Sequence, residues 1–188
     1  MEKEKYSVID ADTRLRLYLL LLNRYREVIK EKETKSVSEI RQLVSPYNNE
    51  FLQELKKKLL ADMPNYSYEK NFYAAVVKAI RYMAQIRICE FTIPFWMSFA
   101  EIDELKITDA RNMAIFFAAL LRSFGSENVK VVITKSGKSY ARFEWGGDNY
   151  LFVPSTGSLL KNEDISKLFE TDPPLYLFSD LSYESYEE

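Results

Sequence analysis

Thr108-Asp109-Ala110-Arg111-Asn112-Met113-Ala114-Ile115-Phe116-Phe117-Ala118-Ala119-Leu120-Leu121-Arg122-Ser123-Phe124-Gly125 is the stretch on which the fold turns. Thr108 is placed to cap a helix whose first turn holds Asp109, and Gly125 is placed to end it in a left-handed conformation. Between those ends Ala110, Met113, Ala114, Phe116, Phe117, Ala118, Leu120, Leu121 and Phe124 cover almost the whole circumference. A helix with no wet face belongs in the middle of a core.

The flanking segments supply that core. Upstream, residues 67–87 read as a longer helix carrying Phe72, Tyr73, Val76, Val77, Ile80 and Met83, and Ser98-Phe99-Ala100-Glu101 is a capping box that opens a short helix ending near Lys106. Between them residues 88–93 read as extended and Pro94 as a turn. Downstream, three segments read as strands, residues 129–134, 140–145 and 150–153, joined by turns at Ser136-Gly137-Lys138 and Gly146-Gly147-Asp148. Alternation in the second strand puts Tyr140, Arg142 and Glu144 on one face and Ala141, Phe143 and Trp145 on the other. The expected class is α+β, a buried central helix against a small antiparallel sheet, with residues 1–46 as an N-terminal helical extension packed on a domain of residues 47–188.

In the extension, a charged start precedes a helix capped by Asp10 or Asp12 and running to about Glu33. Leu15, Leu19, Leu22, Tyr25, Arg26 and Ile29 lie along one side, widened by Leu17, Leu20 and Leu21. A core helix with several neighbours is expected over a membrane-surface helix, because its polar face mixes both signs. Ser36-Val37-Ser38-Glu39 opens a short helix to Val44 that Pro46 ends, and Asn48 or Asn49 starts another towards Met63. Lys56-Lys57-Lys58 fans around more than half a turn and reads as a solvated face. Residues 163–170 read as a last helix, Pro173-Pro174 as a break before residues 175–178, and the acidic end from Tyr183 as a frayed terminus.

Composition excludes whole classes of chemistry. The 188 residues are 47% apolar, and 26 basic against 28 acidic side chains give a net charge of -2, which attracts neither nucleic acid nor an anionic membrane in general. Cys89 is the only cysteine and histidine is absent. An intramolecular disulfide, a His/Cys zinc site and a thiol–imidazole or serine–histidine mechanism are all excluded, the last because each needs an imidazole to carry the proton. Cys89, among apolar neighbours, reads as a buried inert thiol. No cofactor is implied. The apolar run from Leu17 to Leu22 is short of the ~20 residues of a membrane span and no secretory signal is visible, so a cytoplasmic protein is expected.

The series of segments from about residue 70 to 157 resembles the transglutaminase-like superfamily of papain-type thiol enzymes. That family's central helix reads Gly-x-Cys-x-Asp/Glu-x-Ala/Ser, then an apolar run, then Leu-Leu-Arg-x-x-Gly. Here Ala114 and Leu120-Leu121-Arg122-Ser123-Phe124-Gly125 fit, and the register puts Ala110 at the nucleophile position. The family's second motif is a strand that begins with the catalytic histidine, and Tyr140 takes that place. Its third is an aspartate followed by proline and a small hydroxyl residue, and Val153-Pro154-Ser155 matches it with valine for aspartate.

The resemblance therefore implies the architecture with all three catalytic positions replaced. Alanine cannot attack a carbonyl, a phenol with a reference pKa of about 10 is a poor base at neutral pH, and valine orients nothing. The expectation is a pseudoenzyme that binds a protein or peptide through the degenerate cleft or its helical surface. Tyr140 is expected to face the helix start, making Asp109, Arg111, Asn112, Tyr140, Arg142 and Glu144 the candidate binding residues. The bland alternative has Arg142 paired with Glu144 at an exposed sheet edge and Tyr140 merely filling space. Two other functions compete. Some DNA-damage recognition proteins carry a triad-less transglutaminase-like domain that binds DNA, for which Lys56–Lys58, Lys70 and Lys78 are a thin footprint. A carboxylate enzyme using Asp103, Asp109 and Glu144 with a metal is the other.

Overall fold

The computed structural model describes residues 10–186 apart from 48 and 92. No helix among them is long and apolar enough to cross a membrane. Contacts divide the chain into two units: the N-terminal stretch through Thr34 with Phe91–Phe95, and Lys35–Glu90 with Trp96–Glu188.

The first unit is built on helix α1, Ala11–Glu33, capped by Asp10, whose carboxylate accepts the Thr13 N–H at 2.9 Å. Phe91 and Phe95 stack in the same unit with centroids 4.7 Å apart. The expectation of a core helix fails for α1. Leu15 is 56% exposed, Leu20 64%, and Leu17, Tyr18, Leu19, Leu21, Leu22, Tyr25 and Val28 are all exposed as well. The charged start expected before Asp10 lies outside the described residues.

The second unit begins with α2 (Val37–Val44), α3 (Glu50–Leu59) and α4 (Tyr68–Met83). The capping box at Ser36 forms as expected, with Glu39 closing it, and Asn49 rather than the undescribed residue 48 caps α3. α2 belongs to this unit because Val44 is fully buried and the Arg41 guanidinium donates to the carbonyls of Ser179 and Asp180 at 2.9 Å each. The extended reading of residues 88–93 shrinks to β1 (Arg87–Ile88), paired in parallel with β2 (Ile107–Thr108) across α5 (Phe99–Leu105).

The central helix is α6, Ala110–Ser123. Asp109, not Thr108, caps it. Thr108 is committed to β2 and its carbonyl accepts the Cys89 N–H, whereas the Asp109 carboxylate reaches the Asn112 N–H at 2.7 Å. The other end follows the expectation. Gly125 has φ +106, its N–H reaches the Arg122 carbonyl and that of Ser126 the Leu121 carbonyl, the paired closure of a glycine-ended helix.

After α6 come β3 (Lys130–Thr134), β4 (Ser139–Trp145), β5 (Asp148–Val153), β6 (Ser158–Lys161), α7 (Glu163–Thr171), β7 (Pro174–Phe178) and β8 (Tyr183–Ser185). The sheet has the order β6-β5-β4-β3-β7-β8 and is antiparallel throughout. The end expected to fray instead pairs with β7, and the Lys130 ammonium binds the Glu184 carboxylate. Residues 187 and 188 lie outside the described residues.

α6 is enclosed from both sides. On the sheet side Phe117 stacks on Phe152 at 4.1 Å; on the helical side Phe116 stacks on Phe99 at 4.6 Å and meets Tyr82 and Phe51 near 6 Å. Phe143 of β4 sits edge-on to Phe72 of α4 at 5.8 Å. α7 covers the opposite face of the sheet, where Ile165 joins Val132, Tyr140, Leu151 and Leu177 in one buried cluster.

One charge on α6 is buried. Arg122 donates to both carboxylate oxygens of Asp180 at 2.7 and 2.9 Å and to the Ser126 carbonyl at 2.8 Å, and the two side chains are only 5% and 8% exposed. Asp180 holds the Arg122 guanidinium above its ordinary pKa despite its burial. Removing one partner strands the other in the core, so Asp180→Ala is expected to cost about 3–5 kcal/mol. Urea titration followed by circular dichroism checks this as a lowered midpoint with unchanged slope.

Candidate functional site

The start of α6 gathers the first half of the candidate residues. Asp109 spans the opening of the helix, and its carboxylate accepts the Asn112 N–H and lies 3.7 Å from the Arg111 guanidinium. Asn112 is 3% exposed and its side-chain oxygen accepts the Met97 N–H at 3.3 Å. The Arg111 guanidinium lies over the Trp96 ring, 4.1 Å from its centroid, close enough for a cation–π contact. Ala110 is the first helical residue and is half-buried. The result is an aromatic and arginine ledge beside a helix end whose partial positive charge the Asp109 carboxylate already answers.

The other half of the candidates is elsewhere. Tyr140 points away from α6, into the cluster under α7, with its ring edge-on to Phe169 at 6.5 Å. Burial, with the nearby Asp172 charge, pushes its hydroxyl above the usual phenol pKa. Val153 packs on that same cluster. The expectation that Tyr140 faces the helix start is therefore corrected: with a two-residue period, Phe143 and Phe152 claim the helix side of β4 and β5, and Tyr140, Leu151 and Val153 turn to α7. Arg142 and Glu144 share Tyr140's face and pair as the bland alternative has it, but on an interior strand of the sheet rather than at an exposed edge. Arg142 donates to Asn149 at 2.6 Å and to Glu144 at 3.3 Å, and Glu144 borders a hollow of about 290 Å³ at the Gly146-Gly147 hairpin.

No protein-family model matches this chain, and no curated protein matches it. Solved structures do. Legionella pneumophila LapG superposes with a TM-score of 0.54 at 14% identity over 82% of this chain and 90% of the other, and its calcium-bound form gives the same values. An EGTA-treated form gives 0.55 at 13% identity over 82% and 88%. The fold is transglutaminase-like.

Within this transglutaminase-like fold the positions that the resemblance assigns to the triad do not converge, since Ala110 opens α6 while Tyr140 and Val153 lie across the sheet from it. Shifting the strand register by one residue would not restore the chemistry. The helix-facing side of β4 and β5 offers Ala141, Phe143 and Phe152 and, towards the hairpin, Trp145 and Tyr150, none of them a histidine or a thiol.

Two features at this helix start escaped the sequence reading. Trp96 and Met97 supply the partners of Arg111 and Asn112; the aromatic run Phe95-Trp96 beside the Ser98 cap was the available signal. Cys89 is half-buried rather than buried, and the 2.8 Å bond from its N–H to the Thr108 carbonyl sets it one residue from the α6 cap. Nothing in the local sequence signals so short a parallel pairing.

Asp103 and Lys78, raised for other functions, are engaged in the fold. Asp103 accepts the Tyr82 hydroxyl at 2.6 Å and binds the Lys106 ammonium; hydrogen bonds from Lys106 and then Tyr82 hold its carboxyl below the usual carboxylate range. Among the described residues no group of three or more His, Cys, Asp or Glu is placed to hold a metal ion. Lys78 is tied to the Asp62 carboxylate and the Leu59 carbonyl.

One polar atom at the helix start is paid no compensation by the fold: the Thr108 hydroxyl, fully buried, has no hydrogen-bond partner among the described residues. Such a group costs about 1–3 kcal/mol. Thr108→Val keeps the branched shape and removes the orphan, so it is expected to raise stability by about 1 kcal/mol, read as a higher denaturant midpoint.

Proposed function

We propose that this protein is a catalytically silent transglutaminase-like module that binds a protein or peptide at the start of α6. The observation that carries the reading is the constitution of that helix start: Ala110 opens it, Asp109 fills it with its own carboxylate, and the chain has no histidine. A helix end stabilises a thiolate or an oxyanion only while its N–H groups face the reacting atoms, and a fixed carboxylate opposes both species electrostatically.

What the helix start retains is suited to recognition. An arginine held over a tryptophan is a pre-ordered pair of the residue types that dominate binding interfaces. The Arg111 side chain is 30% exposed and its neighbour Asp109 16%, so a partner can reach both without unfolding anything. Of the six candidate binding residues, Asp109, Arg111 and Asn112 belong to this surface, with Trp96 added; Tyr140, Arg142 and Glu144 do not. A chain of net charge -2 working without a cofactor, and in the cytoplasm, fits a protein or peptide partner better than nucleic acid.

The decisive measurement is turnover. Purified protein incubated with a peptide mixture and with a glutamine-containing acceptor pair is expected to release neither cleaved peptide nor ammonia above the buffer control. Turnover that Cys89→Ser abolishes would overturn the reading, because Cys89 is the only thiol in the chain and lies one residue from the α6 cap.

A further inference from the structure

α1 carries an apolar stripe that the described structure leaves in water, and its charges say what fits there. Leu15, Tyr18, Leu22 and Tyr25 follow the alternating three- and four-residue spacing of a coiled-coil seam, with Ile29 next in line and Leu19 and Leu21 beside it. The four seam residues are 56%, 55%, 40% and 51% exposed.

We propose that α1 is a dimerisation helix and that its occupant is α1 of a second copy of this chain, packed antiparallel about a two-fold axis passing at residue 20. That axis sets Leu15 against the partner copy's Tyr25 position and Tyr18 against its Leu22 position, twice each by symmetry, so every seam layer joins a leucine to a tyrosine. Leu19 then meets its own copy on one flank. Farther along that flank, Asp12 meets the position of Arg26, giving two opposite-charge pairs per dimer. A parallel pair would set each tyrosine against itself and leave Asp12 and Arg26 at opposite ends.

The exposed seam and its flanks amount to on the order of 600 Å² per copy, about 1,200 Å² together, the lower end of what a specific interface buries. A lipid surface fits less well. The polar side of α1 mixes acidic Asp12, Glu27 and Glu31 with basic Arg16, Arg24 and Lys30, and Arg16 is paired with Asp12 at 2.8 Å and Lys30 with Glu27 at 3.2 Å.

Sedimentation equilibrium of the full chain, from about 1 to about 100 μM, reads the association directly. A concentration-dependent mass approaching twice 22.1 kDa is expected, and Leu22→Glu is expected to hold the chain monomeric with its circular dichroism otherwise unchanged. Asp12→Arg and Arg26→Asp should each weaken the dimer about tenfold, and the two together should recover it to within about twofold. A monomer throughout the range overturns the proposal, as does a dimer indifferent to Leu22→Glu or a double variant no tighter than the singles. Monomeric protein that pellets with anionic phosphatidylserine vesicles would also overturn it, assigning the stripe to a lipid surface.

Discussion

A helix with no wet face has to be roofed on every side, and α6 imposes that requirement on the rest of its unit. Phe117 demands a sheet residue, met by Phe152; Phe116 demands a helical layer, met by Phe99, Tyr82 and Phe51. Arg122 adds a polar condition to the apolar one. A guanidinium that deep must be paired, and Asp180 can pair it only if the chain returns to the end of α6 after β7. Arg41 then binds the carbonyls of Ser179 and Asp180, so the same corner fixes α2. One buried charge thus ties together segments from three parts of the sequence.

Much of this was legible in the residues. The capping boxes at Ser36 and Ser98, the glycine stop at Gly125, the Gly146-Gly147 hairpin and the three central strands act through contacts within a few residues, and local sequence contains them. The cap of α6 was misread by one residue because Thr108 and Asp109 are both good caps; the choice is made by the pairing of β1 with β2, a tertiary event. β6 and β8 were missed for the same reason. Strands of four and three residues carry almost no alternation and exist because β5 and β7 offer them hydrogen bonds.

The site divided along a line that the sequence did draw. Alternation correctly separated Tyr140, Arg142 and Glu144 from Ala141, Phe143 and Trp145. Which of the two faces meets α6 depends on α7, because a second helix on the far side of the sheet makes both faces apolar. A tyrosine among hydrophobic neighbours can go to either one. Phe72 on α4 and Phe117 on α6 settle the choice by claiming Phe143 and Phe152.

Several unfavourable features of the unit gather at one place, while Asn162 at φ +44 stands apart before α7. Lys106 ends α5 at φ +51, where glycine would cost less, and the buried Thr108 hydroxyl, without a hydrogen-bond partner among the described residues, follows two residues later, directly before the Asp109 cap. Buried Asn112 and the Arg111–Trp96 pair complete the same short stretch. A core built only for stability would use a glycine and a valine there, and the apolar faces of α6 make no such concession. Concessions gathered where α6 begins mark this short stretch as the part of the unit least shaped by stability alone.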